Sequence, residues 1–574
     1  MVAEKKKPKK KIPKFKEIKK PIIIGAIIAG FAITGIIVGI IILGGYDTDK
    51  PPKILTFGYP GLPFTLDPLE VAYPIDINML YQVAEGLFDI DENGNIISGL
   101  AYINNRTWSQ DALNLTCNLR KGVKFHDGTL FNASAVKWNF DRIYYFLNNS
   151  LLEYPDLWIF PDGTPIVNDT QVIDDYTVKF VLNKAFVPFE SLLATYSSFI
   201  ISPTSTQEDR FLNLGNDNIT GTGAFIFEHF EPSKNISMLA NPIYWNGKPK
   251  IDKLILIELN TTDFTTGAPL LSGDVDLMFR HFGWEEEVLE TFRNNSSFIV
   301  EAGPFSNLRY LVMNNELINK TMRKAISYAL NYSFIETLGG IRAKSPIPES
   351  ILYYNTTGIN VPFYDVSIAR QTLKDVNWNN TAGALTADNN ISAGNEWEKL
   401  VDNGTPLAIY NYTYVKNSPI FPPLNFITLL IENLKQIGIK VEPYNISITK
   451  YSAQRFETGG YHRNMFELCW GWWAADYNDP STFINPLFTN ETVAFNTGQV
   501  NDHLTQMWMT EALSETDPIA RKDLYYDIQK HLIEEVYPIA FSYSTVLAAI
   551  YDSNINGWST NSWNWPFKNV CFDL

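Results

Sequence analysis

The chain has 574 residues, 45% of them hydrophobic and 19% charged, and it carries a formal net charge of −16. Length alone suggests about three to four domains, the apolar content supplies ample core, and the charged fraction lies below the usual ~25%. So acidic a chain is poorly suited to nucleic acid. Residues 1–20 hold ten lysines against Glu4 and Glu17, which leaves −24 for the rest, and Pro21 to Gly45 then runs without a charge. A helix of that length spans roughly 35 Å, against a hydrocarbon core of about 30 Å. A signal-peptide apolar region is only about 7 to 15 residues long. The segment 21–45 therefore reads as one transmembrane anchor, with no cysteine nearby to carry a lipid. The lysines stay cytoplasmic by the positive-inside rule, which sends residues 46–574 outside the cell membrane. Nineteen Asn-X-Ser/Thr sequons, among them Asn105, Asn132, Asn235, Asn355 and Asn490, read as a glycoprotein surface.

Beyond residue 50 the pattern is α/β. Lys253 to Leu259, KLILIEL, reads as a strand, Met322 to Ile335 as a helix, Phe426 to Ile437 as a helix and Gly438 to Ile446 as the strand after it. Asn377 to Trp397 is of low complexity and reads as a surface loop. The most informative run is LCWGWWAADYNDPSTFINPLF, Leu468 to Phe488. Trp470, Trp472 and Trp473 each bring a large apolar face and one indole donor. Asp476 beside them, shielded from water, would hold a cation by a charge-assisted bond. The same run also reads as a core strand turning into a capped helix, with Asp479-Pro480 at the helix start.

Cys117, Cys469 and Cys571 give no disulfide framework, and the first two, in apolar runs, behave as small buried hydrophobes. The six histidines are dispersed without metal-ligand spacing. There is no nucleophile elbow, zinc-protease motif or phosphate loop. Asp476 and Asp479 mimic a glycosidase pair only if Asp479 is not a helix cap. Neither an enzyme nor a cofactor is expected.

LTFGYPGLPFTLDP (Leu55–Pro68), YQVAEGLFDIDENGNIISGLA (Tyr81–Ala101) and LTCNLRKGVKFHDGTLFNASAVKWNFDRI (Leu115–Ile143) come first in an ordered series. Gly221–Leu254, Leu270–Phe279, Met322–Ile335 and the tryptophan run then follow. Together they resemble the family 5 extracellular solute-binding proteins of ABC importers, the dipeptide and oligopeptide receptors. The resemblance implies a two-lobed periplasmic-binding-protein-like clamp with an extra inserted subdomain, here preceded by the transmembrane helix. Lobe I would take residues 52–85, 223–300 and 539–574, the inserted subdomain 86–222, and lobe II 301–538. It further implies a monomer that captures peptide by hinge closure and delivers it to an ABC permease.

By the same resemblance Asp476 takes the ligand's α-ammonium. The peptide is held as an added strand by main chain at Tyr59, Pro60 and Gly61 on one side and Gly471 to Trp473 on the other. Lys416 falls where some dipeptide receptors place a carboxylate-binding arginine, and as a poorer bidentate clamp it argues against strict dipeptide selectivity. Two other readings stay open. One is an oligosaccharide receptor of the same family, with some of the fourteen tryptophans stacked on sugar. The other is an anchored surface sensor without a permease.

Overall fold

The computed structural model describes residues 51–71, 73–152, 155–217, 219–280, 284–375, 396–402, 406–416, 424–451, 466–490, 495–560 and 563–573. The expected anchor at 21–45 and most of the expected loop at 377–397 lie outside them. No described helix is long and apolar enough to cross a membrane. Residues from Lys53 onward pack as one compact unit.

Twelve strands share one sheet. In chain order they are β1 (Ile54–Tyr59), β2 (Phe225–Glu231), β3 (Asn235–Ala240), β4 (Lys253–Glu258), β5 (Leu277–Arg280), β6 (Phe298–Pro304), β7 (Asn307–Met313), β8 (Gly340–Arg342), β9 (Ala408–Tyr414), β10 (Ile439–Asn445), β11 (Leu468–Ala474) and β12 (Ile539–Asp552). Ten lie side by side in the order β10-β9-β11-β7-β12-β5-β1-β4-β3-β2, and β6 and β8 also pair with β12. β1 runs parallel to both β4 and β5. β9 runs parallel to β10, as a helical crossover requires. That crossover is Leu424–Lys435, and Gly438 leaves it at φ +75°, where a side chain would be strained.

Alternating side chains fill two separate cores on this sheet. Leu55, Phe57, Leu254, Leu256, Leu277 and Phe279 belong to one. Leu308, Leu311, Phe426, Leu468, Cys469 and Phe483 belong to the other. A third core lies under a four-stranded sheet (Thr107–Trp108, Asn114–Asn118, Thr177–Leu182, Val167–Asp174) and the helix Ala133–Asn148. That helix begins where the Asn132 side chain accepts the Ala135 N–H at 3.0 Å, and it buries Val136, Phe140 and Ile143 at helical spacing. Asp67, in the turn after β1, is tied to this helix by a buried ion pair with Arg142, the two Nη donors reaching its two oxygens.

The chain passes between the two sheet cores along extended strands. β6 pairs with the second half of β12, and β7, two residues further on, pairs with the first half. The two passages are locked together where they meet. Asn307 Nδ2 donates to Thr545 Oγ1 at 2.6 Å and Asn307 Oδ1 accepts the Thr545 N–H at 3.0 Å.

Two sequence readings change in detail, and the cysteine reading holds. The helix expected over Met322–Ile335 ends at Ala329, because Leu330 is extended and the Asn331 N–H turns to Asn433 Oδ1 at 2.7 Å. A new turn, Phe334–Thr337, follows. Cys117, Cys469 and Cys571 are free thiols, the first two buried. Asp479 does accept the Ser481 N–H at the start of the helix Ser481–Phe488, but it is also buried in a forked ion pair with Arg521 at 2.6 and 3.0 Å.

Candidate functional site

β11 carries the tryptophans of the candidate site. Over its whole length one edge pairs with β7, whereas the other edge meets β9 only at Leu468 and Cys469. From Gly471 to Ala474 no described strand covers that edge, so backbone donors and acceptors are presented as they are at a sheet margin. Gly471 is required where it stands: a Cβ there would lie 2.2 Å from the Tyr310 ring.

The three tryptophans divide their tasks. Trp470 is 2% exposed, its ring 4.9 Å from Phe426 in the core and its carbonyl taken by the Tyr451 hydroxyl at 3.0 Å. It therefore builds the wall from behind and does not face the cleft. Trp473 donates its indole N–H to the Thr482 carbonyl at 2.6 Å and packs on Phe495. Trp472 is half-buried, and its indole N–H, like that of Trp470, has no partner among the described residues.

Asp476 follows on the loop after β11. Its Oδ1 accepts the Tyr196 hydroxyl at 2.9 Å and its Oδ2 the Thr482 hydroxyl at 3.2 Å. Burial outweighs these two donors and lifts the carboxyl to about 6. Asp156, on a short turn of the segment before β2, is also lifted to about 6, by burial and then by the charge of Asp476. Among the described residues Asp156 has neither hydrogen bond nor ion pair, and no cation offsets either acid. Asp479, three residues on, is by contrast paired with Arg521.

The other candidate residues lie at the end of β1. The Tyr59 ring lies 5.9 Å from Phe264 and 5.8 Å from Trp565, and its carbonyl is occupied by the Leu259 N–H at 2.8 Å. Pro60 is exposed and has no N–H to give. Gly61 faces open space, with nothing within 4 Å of where a Cβ would sit. Tyr59 and Ala474 both pack against the core around Phe57 and Phe279. Lys416 is exposed, and its backbone N–H bonds Asn445 Oδ1 at 3.1 Å.

Residues 86–222 touch the segments after β11 at several points. Besides Tyr196 on Asp476, Asn478 Nδ2 donates to the Gly94 carbonyl at 3.2 Å and the Val187 N–H to the Leu513 carbonyl at 2.8 Å. Tyr196, Thr482 and Asp156 were not apparent as site residues from sequence. Only Asp156, an acid set among aromatics in EYPDLWIF, carried a signal of the kind that marked Asp476.

Comparison with known proteins agrees with this architecture. Residues 95–495 match the family described as bacterial extracellular solute-binding proteins, family 5, middle. The glutathione-binding protein GsiB of Pectobacterium atrosepticum is 26% identical over 484 residues, 82% of this chain and 84% of the relative. Its namesake from Salmonella choleraesuis is 25% identical over 525 residues, 89% and 91%. Among solved structures, the dipeptide binding protein of Pseudoalteromonas sp. SM9913 in complex with Met-Leu aligns with TM-score 0.71 at 21% identity, covering 91% of this chain and all of that one. NikA from Brucella suis in complex with Fe(III)-EDTA aligns at 0.73 and 22%, with the same coverage; at these identities both speak to the fold alone. With the family match spanning well over half its length, the chain belongs to the bacterial extracellular solute-binding proteins, family 5.

Proposed function

We propose that this protein is a membrane-anchored extracellular receptor that captures peptides between two lobes and hands them to an ABC permease. The observation that carries the reading is Asp476: a carboxylate lifted by burial, supplied with two hydroxyl donors but no cation, beside an uncovered strand edge. A peptide has the complementary parts, an α-ammonium for the acid and a backbone for the edge. Relatives point the same way. GsiB is named for glutathione, itself a tripeptide, and similar folds were solved with Met-Leu and with a nonapeptide. The lobes run as the family resemblance divides them, and the anchor is the uncharged run 21–45. The oligosaccharide reading loses ground because Trp470 and Trp473 are committed to packing and to Thr482.

The test is thermal unfolding of the full-length chain in detergent with glutathione and with di- to penta-alanine, each also as its N-acetyl derivative. Ligand at 100 times its Kd stabilises by about 2.7 kcal/mol. Asp476→Asn and N-acetylation should each weaken binding by about 3 to 5 kcal/mol, the effect of stranding one partner of a buried pair. Stabilisation by oligosaccharides alone, indifferent to Asp476→Asn, would refute the peptide reading.

A further inference from the structure

Arg280 ends β5, the strand that lies parallel to β1 with Phe57 opposite Leu277 and Gly58 opposite Met278. It therefore stands level with the residues just beyond Tyr59, where the carboxyl ends of β1, β4 and β5 open on one side of the sheet, the place where parallel sheets bind ligands. Its guanidinium carbon lies 5.7 Å from the Phe264 ring centre and 5.5 Å from that of Trp284, and Phe264 in turn touches Tyr59. Trp284 is held by its indole N–H on the Ala548 carbonyl at 3.2 Å. The two rings, themselves 5.8 Å apart, support the cation from one side. Nη1 is enclosed without a hydrogen-bond partner, and no described residue accepts a hydrogen bond from Arg280 or pairs with it. Burial lowers its pKa, with only the charge of Glu285 acting the other way.

Three of the most buried arginines are paired by the protein itself, even where a single Nε, as on Arg142, goes without a partner. Arg142 forks onto Asp67, Arg521 forks onto Asp479, and Arg323 is wrapped by the carbonyls of Ile318, Val536 and Tyr537. Arg280 has been given aromatic support and orientation but no acceptor. A planar fork of this kind matches a carboxylate in two-point geometry.

We propose that Arg280 is the carboxylate anchor of this cleft, so that the ligand is a zwitterion held by its cation at Asp476 and by its anion at Arg280. This rests on the peptide reading above and replaces Lys416 in the role expected from sequence.

The test compares Kd values for di- to penta-alanine as free acids, as C-terminal amides and as N-acetyl acids, on the full-length wild type, Arg280→Gln and Arg280→Lys. For at least one peptide length the wild type should bind the acid about 10- to 100-fold more tightly than the amide, as a charge-assisted bond implies. Arg280→Gln should erase that ratio while the penalty for N-acetylation persists, and Arg280→Lys should keep part of it. A structural role for Arg280 would instead weaken acids and amides alike and preserve their ratio, which overturns the proposal. So does a wild type that binds acids and amides equally. If N-acetylation costs nothing in the wild type, the ammonium reading has failed, whatever the acid-to-amide ratio.

Discussion

The two cleft acids make pH a probe of single residues. Asp476 and Asp156 both stand at about 6 in the folded chain, above the ordinary aspartate value of about 3.9. The folded state thus binds their protons more tightly than the unfolded one. Their ionisation costs stability at pH above 6, and the cost is relieved as the pH falls toward about 4, where both states are protonated. Urea midpoints of the ligand-free protein between pH 7 and 4.5 should show this as a gain on acidification that is smaller in Asp156→Asn than in wild type. Peptide affinity should move the opposite way, because the ammonium needs an ionised Asp476. Its Kd should rise as the pH drops through about 6, and binding at pH 6 should release protons. A Kd independent of pH from 7 to 5 would contradict the role given to Asp476.

At the scale of elements, β11 is the piece that cannot be altered quietly. Gly471→Ala drives a methyl into the Tyr310 ring at 2.2 Å, in a sheet interior that has little room to shift. Overpacking of this sort costs about 1 to 3 kcal/mol, and displacing β11 should weaken peptide binding along with stability. A variant with unchanged urea midpoint and Kd would mean that the Tyr310 ring turns aside freely. Elements whose periodicity is local were legible beforehand: KLILIEL became β4 and the Phe426 helix led through Gly438 into β10. The Met322 helix was read too long because its end is set by Asn433 on another helix, which no local pattern shows. The same limit governs the site. Asp476 could be found because aromatics cluster beside it in sequence, whereas its partner Tyr196 lies 280 positions away. Trp470 and Trp472 look alike in sequence, and strand alternation sends them to the same face. What separates them is the packing of Phe426 and Tyr543 on Trp470.

For the whole molecule, the proposed hinge closure makes the contacts between residues 86–222 and the segment after β11 candidates for a latch. The Tyr196 hydroxyl on Asp476, Asn478 on Gly94 and Val187 on Leu513 join residues 86–222 to the segments after β11. Tyr196→Phe removes one of them and should shift the ligand-free chain toward the open form, read as a larger radius of gyration in solution scattering, with addition of peptide restoring the compact value. If the radius is the same for wild type and variant with and without peptide, the hydroxyl is not a latch. β12 has a further consequence, for biosynthesis. It pairs with β5, β6, β7 and β8 and lies in the middle of the sheet, yet it is made after all of them. Until residue 552 has left the ribosome, both halves of the sheet have an open edge where β12 belongs. Domains usually fold one after another as they emerge; here neither half can close early. A nascent chain stalled before β12 therefore leaves an open edge on both halves of the sheet at once.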